Sequence, residues 1–331
     1  MREKLHKEDA TIKTAEKEDI IREIREGKAS TLDLKNVDLS MVDLSGTDLC
    51  GVDLSGAKLF KANLRDAMLI RTILKGAELT GADLSSANLE DADLSNSGIG
   101  MARFETAKLF NANLSSATLS GSDLEGADLR SCNLRNARLR ESLLINTDLT
   151  GADMRGADLS LSTVSGALFT NVDLRNSRLR MIRDFENAQW IGTDIRDINF
   201  AGAYRIRRFI VDQNYLKEFR ESNRISSLIY TIWWLTSDCG RSFSRWFLWI
   251  LLLITLFALV YSYVSIDYGA HKTWFSAIYY SVVTITTLGY GDVVPASLTG
   301  QIVALAEVIS GYVMLGGLIS IFSNKVSRRA D

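Results

Sequence analysis

Cysteine and histidine are scarce in this chain of 331 residues, which has three of the first and two of the second. Cys50, Cys132 and Cys239 lie far apart and are odd in number, which argues against a disulfide framework and fits reduced thiols in a cytosol-facing protein. The two histidines, His6 and His271, do not make a metal site. An excess of either charge is also lacking: the formal net charge is -2, so charge balance identifies no partner. The opening stretch, MREKLHKEDATIKTAEKEDIIREIREGKAS, is charged throughout and has no apolar run followed by small cleavage-site residues. No secretory signal is expected there, and the start of the chain is expected to stay in the cytoplasm. No nucleophile with a base, metal cluster or phosphate loop stands out, so an enzyme is not expected.

What is present, 47% hydrophobic and 24% charged residues, suffices for two modest domains. From Leu34 onward an apolar residue recurs at every fifth position, through Leu39, Leu44 and Leu49 and on to Leu174 and Leu179. Two residues earlier stands a small side chain, as at Ala57, Ala62, Ala67, Ser122 and Cys132. A helix turns about 100° per residue, so a step of five rotates by about 140° and would smear the leucines over every face. A straight strand, with its period of two, would flip them from side to side. A short extended side followed by a turn satisfies the pattern, with coils stacking about 4.8 Å apart as neighbouring strands do.

Units such as GADLSSANLEDADLS resemble the pentapeptide-repeat family. The resemblance implies a right-handed quadrilateral β-helix with four pentads per coil. After Leu179 the register slips by one residue and the central positions become bulky, at Phe185, Trp190, Ile195 and Phe200, as expected of coils that close a stack. At the other end EKEDIIREIREGKAS reads as a short amphipathic helix capping the first coil through Ile20, Ile21 and Ile24. The Asp and Asn column, with Asp43, Asp48, Asp53, Asn63 and Asp83, reads as metal ligands, as phosphate mimicry or as turn-bonding side chains on a solvated face. Some members of the family resemble DNA and bind topoisomerases. The arginines of the later coils, Arg130, Arg135, Arg138, Arg140, Arg175, Arg178 and Arg180, work against that, and no nucleic-acid partner is expected.

WFLWILLLITLFALVYSYVSI, from Trp246 to Ile266, carries no charge and is long enough to cross a bilayer, as is QIVALAEVISGYVMLGGLISIF from Gln301 to Phe322. Arg241 and Arg245 precede the first, Lys325, Arg328 and Arg329 follow the second, and only Lys272 lies between. Both chain ends are therefore expected on the cytoplasmic side of the cell's inner membrane. The expected organisation is a capping helix over 1–30, cytoplasmic repeats over 31–202, a helical link over 203–244 and a first span over 245–266. An outer loop with pore helix and filter over 267–300, a second span over 301–323 and a basic tail over 324–331 complete it. Within the link, Ile225 to Leu235 is too short to span and reads as a helix against the membrane face or packed on the helical domain.

Between the spans, Lys272 to Thr286 is apolar and aromatic, and TLGYG follows it. Span, re-entrant helix, TTLGYGD and span together resemble the two-transmembrane potassium channel pore from about Arg245 to Arg328. The resemblance implies a filter formed by Thr287, Leu288, Gly289, Tyr290 and Gly291, with K+ replacing its hydration shell by the carbonyls of the first four; carbonyl selectivity of this motif is a standard case. K+ is the permeant ion and no cofactor is implied. Asp292 falls at the outer mouth, with Tyr279, Tyr280 and Glu307 supporting the filter, and Tyr280 stands where many relatives have a Trp facing that Asp. Leu288 replaces the usual Val. Gly311 and Gly316 are candidate hinges or packing glycines, and Tyr312, Leu315 and Ile319 share the side that would line the cavity. Glu307 falls away from that side, where a hydrogen-bonded carboxyl is expected rather than an ion ligand.

One chain offers one such loop, so a homotetramer in the lipid bilayer is implied. The expected function is a potassium-selective channel that its repeats regulate, assemble or localise. The alternative is a membrane-anchored scaffold whose repeats bind a cytosolic protein or ligand. No arginine-rich sensor helix precedes the pore and only a short tail follows it, so input is expected through the repeats and the link.

Overall fold

The computed structural model describes residues 17–198, 200, 203–269 and 272–330. The stretch 1–16 with His6, residue His271 and the side chains of Lys325, Arg328 and Arg329 lie outside the described residues. Two compact units divide the chain, Met1–Lys217 and Glu218–Asp331.

The first unit is a β-helix, and its coil length follows from hydrogen bonding. Each pentad contributes one parallel bridge to a partner twenty residues on: Asp38 with Lys58, Asp43 with Asn63, Asp48 with Met68. Four pentads therefore close one coil. The Leu39 N–H donates to the Lys58 carbonyl at 2.7 Å, and the Lys58 N–H returns to the Val37 carbonyl at 2.8 Å. At each corner the chain turns back through a bond such as Val42 N–H to Leu39 carbonyl, and the residue two after each leucine takes a positive φ, as at Gly46 (65°) and Gly51 (69°). Glycine meets that geometry without a Cβ penalty.

With corners set, the central leucines and the small residues before them all point inward. Leu39, Leu44, Leu49, Ala57 and Cys132 are fully buried. Polar members of the small column bond to carbonyls: Thr72 Oγ1 to Leu49, Ser122 Oγ to Ile99 and Thr147 Oγ1 to Leu124. The Cys132 Sγ does the same with Leu109 at 2.9 Å, and burial pushes this thiol up to about 12, which leaves it unreactive. The Asp and Asn column bonds turns. Asp43, Asp48, Asp53, Asn63 and Asp83 each accept the main-chain N–H two residues on. Among the described residues no group of His, Cys, Asp or Glu is placed to hold a metal ion.

Several arginines of the later coils meet aspartates of their own coil and of the next. Arg135 reaches Asp153 (3.3 Å), Arg155 lies between Asp153 and Asp173, Arg175 between Asp173 and Asp194, and Arg196 ends the ladder on Asp194 at 2.6 Å. Arg135, Arg155 and Arg175 stand at one position of successive coils, and the aspartate column beside them offsets the repulsion of these stacked like charges.

An open β-helix end exposes unpaired main chain, and both ends are covered. Helix α1, residues 17–25, buries Ile24, and Arg25 donates to the Asp43 carbonyl. At the far end the ring of Trp190 stacks on Phe169 with centroids 4.0 Å apart, and a 3-10 turn at Phe185–Asn187 takes up the extra residue, so the bridge spacing grows by one between Thr163–Arg183 and Leu168–Gln189. Helix α2, Tyr204–Ser222, buries Ile206 and Ile210 there. Its Gln213 accepts the Trp190 N–H (2.6 Å) and its Asn214 accepts the Gly192 N–H (2.7 Å) while donating to the Trp190 carbonyl. Two side chains thus stand in for a missing next coil.

The second unit holds α3 (Arg224–Ser237), α4 (Phe243–Tyr263), α5 (Ser276–Ile285) and α6 (Leu298–Ala330). Asn223 caps α3, and Ser242 caps α4 by accepting the Arg245 N–H. A two-residue antiparallel pair, β1 (Ile266–Asp267) with β2 (Val294–Pro295), joins the end of α4 to the entry of α6. Helices α4 and α6 are long and apolar enough to cross a membrane. Helix α3 leaves Ile225, Leu228, Ile232 and Leu235 exposed.

Two outcomes are expected for the β-helix. Replacing Asn214 by Ala leaves the Trp190 carbonyl and Gly192 N–H short of partners, at a cost of about 1–3 kcal/mol; hydrogen exchange of peptides covering 185–198 should speed up. The second concerns acid. The Arg196 guanidinium donating to its carboxylate brings Asp194 from 3.8 down to about 2. Its contribution is therefore complete above its ordinary range and is lost as pH falls through about 2. Urea midpoints measured over that interval should fall with acid, and Asp194→Asn should flatten the slope.

Candidate functional site

The second unit is organised around α5, which packs against both long helices. Its sequence, SAIYYSVVTI, buries Tyr280, Ser281, Val283, Thr284 and Ile285, so most of its last two turns face protein. The chain leaves the helix without a break: the Thr287 N–H bonds the Thr284 carbonyl at 3.0 Å and the Leu288 N–H bonds the Val283 carbonyl at 3.1 Å. From there φ is positive at every second residue, Thr287 (58°), Gly289 (51°) and Gly291 (78°). Two are glycines, for which this region is open; Thr287 is β-branched and adopts it against its preference.

Residues 287–292 are exposed in the single chain and run back alongside α5, sharing a groove of about 360 Å³ with Val308 and Tyr312 of α6. The Tyr279 hydroxyl fixes the far end by donating to Asp292 at 2.7 Å. The resemblance put Tyr280 in that place. Neighbouring helical residues point about 100° apart, so only one of the two can face Asp292. Tyr280 turns inward, edge-on to the Tyr261 ring with centroids 4.8 Å apart.

Glu307 of α6 is fully buried. One carboxyl oxygen meets the Tyr261 hydroxyl of α4 at 2.6 Å and the other meets Ser281 Oγ of α5. No ion pair reaches it among the described residues. Tyr261 and Ser281 were not singled out in the sequence; a hydroxyl in an apolar run facing a lone acid on the next span is the signal that could have found them.

The glycines of α6 differ from one another. Helix α6 runs unbroken through Gly311, Gly316 and Gly317. A Cβ at Gly311 would overlap the Ile285 carbonyl, with the carbonyl carbon at 3.0 Å, and one at Gly317 would overlap the Trp246 indole. At Gly316 nothing lies within 4 Å. Trp246 also donates from Nε1 to the Met314 carbonyl at 2.8 Å, joining the first turn of α4 to α6. Tyr312, Leu315 and Ile319 are exposed along α6.

Residues 32–176 match the family model for pentapeptide repeats in eight copies, and residues 247–328 match the family model described as ion channel. The chain joins a pentapeptide-repeat domain to an ion-channel domain. This chain is 39% identical over 70 residues to the calcium-gated potassium channel TvoK of Thermoplasma volcanium, covering 20% of each chain. It is 37% identical over 86 residues to two-pore potassium channel 1 of Arabidopsis thaliana, covering 25% of this chain and 24% of that protein. It is 33% identical over 93 residues to the voltage-gated potassium channel regulatory subunit KCNG2 of Rattus norvegicus, covering 27% and 19%. This chain thus spans about a fifth to a quarter of the length of these curated relatives. Among solved structures, HetL from the cyanobacterium Nostoc, a pentapeptide repeat protein involved in heterocyst differentiation regulation, is 26% identical over 54% of this chain and 96% of its own, with a TM-score of 0.27. The fluoroquinolone resistance protein QnrB1 is 22% identical over 54% and 92%, with a TM-score of 0.36.

Gly317→Ala is expected to push the Trp246 ring away from α6 and destabilise the ion-channel domain by about 1–3 kcal/mol, as overpacking does. Gly316→Ala, at an open position of the same helix, should cost nothing comparable. The measurement is the thermal midpoint of the purified chain in detergent.

Proposed function

We propose that the chain is one subunit of a homotetrameric potassium-selective channel. The observation that carries this reading is the segment 287–291, held at the end of α5 between two apolar helices, with φ positive at every second residue. Alternating left- and right-handed residues turn successive peptide units the same way, which presents main-chain N–H groups along one side and carbonyls along the other. Four such rows around an axis replace the hydration shell of K+, with the carbonyls of Thr287, Leu288, Gly289 and Tyr290 as ligands and Gly291 closing the row. The carbonyl end of α5 points toward the same place and favours a cation there. The potassium channel relatives, aligned with this domain at 33–39% identity, support the choice of ion.

In this reading the loop of α5 and residues 287–292 re-enters the outer face of the cell's inner membrane, and both chain ends lie in the cytoplasm. Asp292, tethered by Tyr279, attracts cations at the outer mouth. Tyr312, Leu315 and Ile319 line the cavity below. Gly311 is already occupied by packing against α5, which leaves Gly316 as the point of α6 with room to bend. The repeats, coiled as a right-handed quadrilateral, act on the pore through the link, where α3 lies in the membrane interface on its exposed apolar residues.

In planar bilayers the purified chain should carry K+ in preference to Na+ and be blocked by Ba2+, and Gly289→Ala should abolish the current. Comparable Na+ current in the unaltered protein would sink the reading. Deleting residues 1–200 should alter open probability while K+ selectivity persists; unchanged gating would reduce the repeats to anchoring or assembly.

A further inference from the structure

The ion-channel domain buries one carboxyl that the conduction path leaves unused. Glu307 meets groups from both neighbouring helices: the Tyr261 hydroxyl from α4 at 2.6 Å, and Ser281 Oγ from α5. The same Ser281 Oγ lies 3.0 Å from the Ile254 main-chain carbonyl of α4. All three side chains are shut off from the surface. The other titratable group facing this junction is Tyr280 of α5, packed edge-on to Tyr261, and behind it the Tyr268 hydroxyl meets the Tyr261 carbonyl at 3.3 Å.

The hydrogens can be counted. Tyr261 to Glu307, Glu307 to Ser281 and Ser281 to Ile254 are three oxygen–oxygen contacts, and each needs one hydrogen. The two hydroxyls bring two, and the Ile254 carbonyl brings none. An ionised carboxylate would take both and leave the Ser281 contact with Ile254 as two facing acceptors. A carboxyl that carries its own proton completes the set: Tyr261 donates to it, it donates to Ser281, and Ser281 donates to Ile254. A buried polar group with every partner satisfied is also the form a membrane interior tolerates.

We propose that Glu307 is a protonated clasp that fixes α5 to α4 and α6 at once, and thereby positions the filter. Its leverage runs through α5. Ser281 lies two residues before Val283, whose carbonyl holds the Leu288 N–H, and Tyr279 on the same helix holds Asp292. Both ends of the segment therefore hang from the helix that Glu307 secures. Glu307 is a positioning residue and touches no ion. The inference rests on the reading of 287–291 as a filter, and its test separates the two.

The full chain is compared with Glu307→Gln, Glu307→Ala, Ser281→Ala and Tyr261→Phe. Glutamine reproduces the protonated acid: its carbonyl accepts from Tyr261 and its amide donates to Ser281. Infrared difference spectra at neutral pH should show a carboxylic-acid carbonyl band that Glu307→Gln removes; a carboxylate band in its place would overturn the protonated clasp. In bilayers Glu307→Gln should keep the wild-type K+ to Na+ ratio and current decay. Glu307→Ala should lower the ratio or speed the decay by about tenfold, the effect of losing a buried hydrogen bond or two. If Glu307→Ala does not assemble, Ser281→Ala and Tyr261→Phe each remove one arm and should shift the same quantities in the same direction. Wild-type behaviour of both, or Glu307→Gln behaving as Glu307→Ala, would overturn the proposal. Should the unaltered chain pass no K+, the filter reading fails alone, and the infrared band still decides the state of Glu307.

Discussion

Main-chain N–H and C=O groups must find partners wherever water is shut out, and that requirement shapes both units. In the β-helix each coil satisfies the one before it through paired bonds such as Leu39 with Lys58 and Lys58 with Val37. The stack would end with a row of open groups, and Gln213 and Asn214 close it with side-chain amides. In the helical unit α4, α5 and α6 satisfy their own backbone, and in the segment after α5 φ turns positive at every second residue instead.

Charge follows backbone in order of importance. The side chains on the outside of the coils stack one above another whatever they are, so like charges at one position of successive coils would repel. The column of Arg135, Arg155 and Arg175 meets that conflict through the column beside it, where Asp153, Asp173 and Asp194 pair with the stacked arginines. Within the membrane domain the same logic is met without ions, since Glu307 is answered by hydroxyls alone.

Much of this was legible in the sequence because it depends on short periods. Leucine at every fifth position forces a coil, and the glycines of TLGYG between two apolar runs fall where φ turns positive. The number of pentads per coil came from the family resemblance and not from the period, because a period of five fits any closed polygon; the bridge from Asp38 to Lys58 makes it four. Partners far apart in sequence were hidden too. Asp292 was expected to face Tyr280, and the helical phase of α5 gives it Tyr279. Trp246 with Met314 and Tyr261 with Glu307 join residues more than forty positions apart, with no spacing rule to connect them. Gly311 could be read as a hinge or as a contact, and only the position of the Ile285 carbonyl shows that its space is taken.

The four-pentad coil also governs how this chain can change in length. Adding or removing a whole coil of twenty residues leaves every later side chain at the same azimuth, so the arginine ladder and the Trp190 end keep their faces. Adding a single pentad advances everything beyond it by a quarter turn and presents a different face without disturbing the leucine core. Insertions therefore act as a gearing: multiples of twenty set height, and odd pentads set direction.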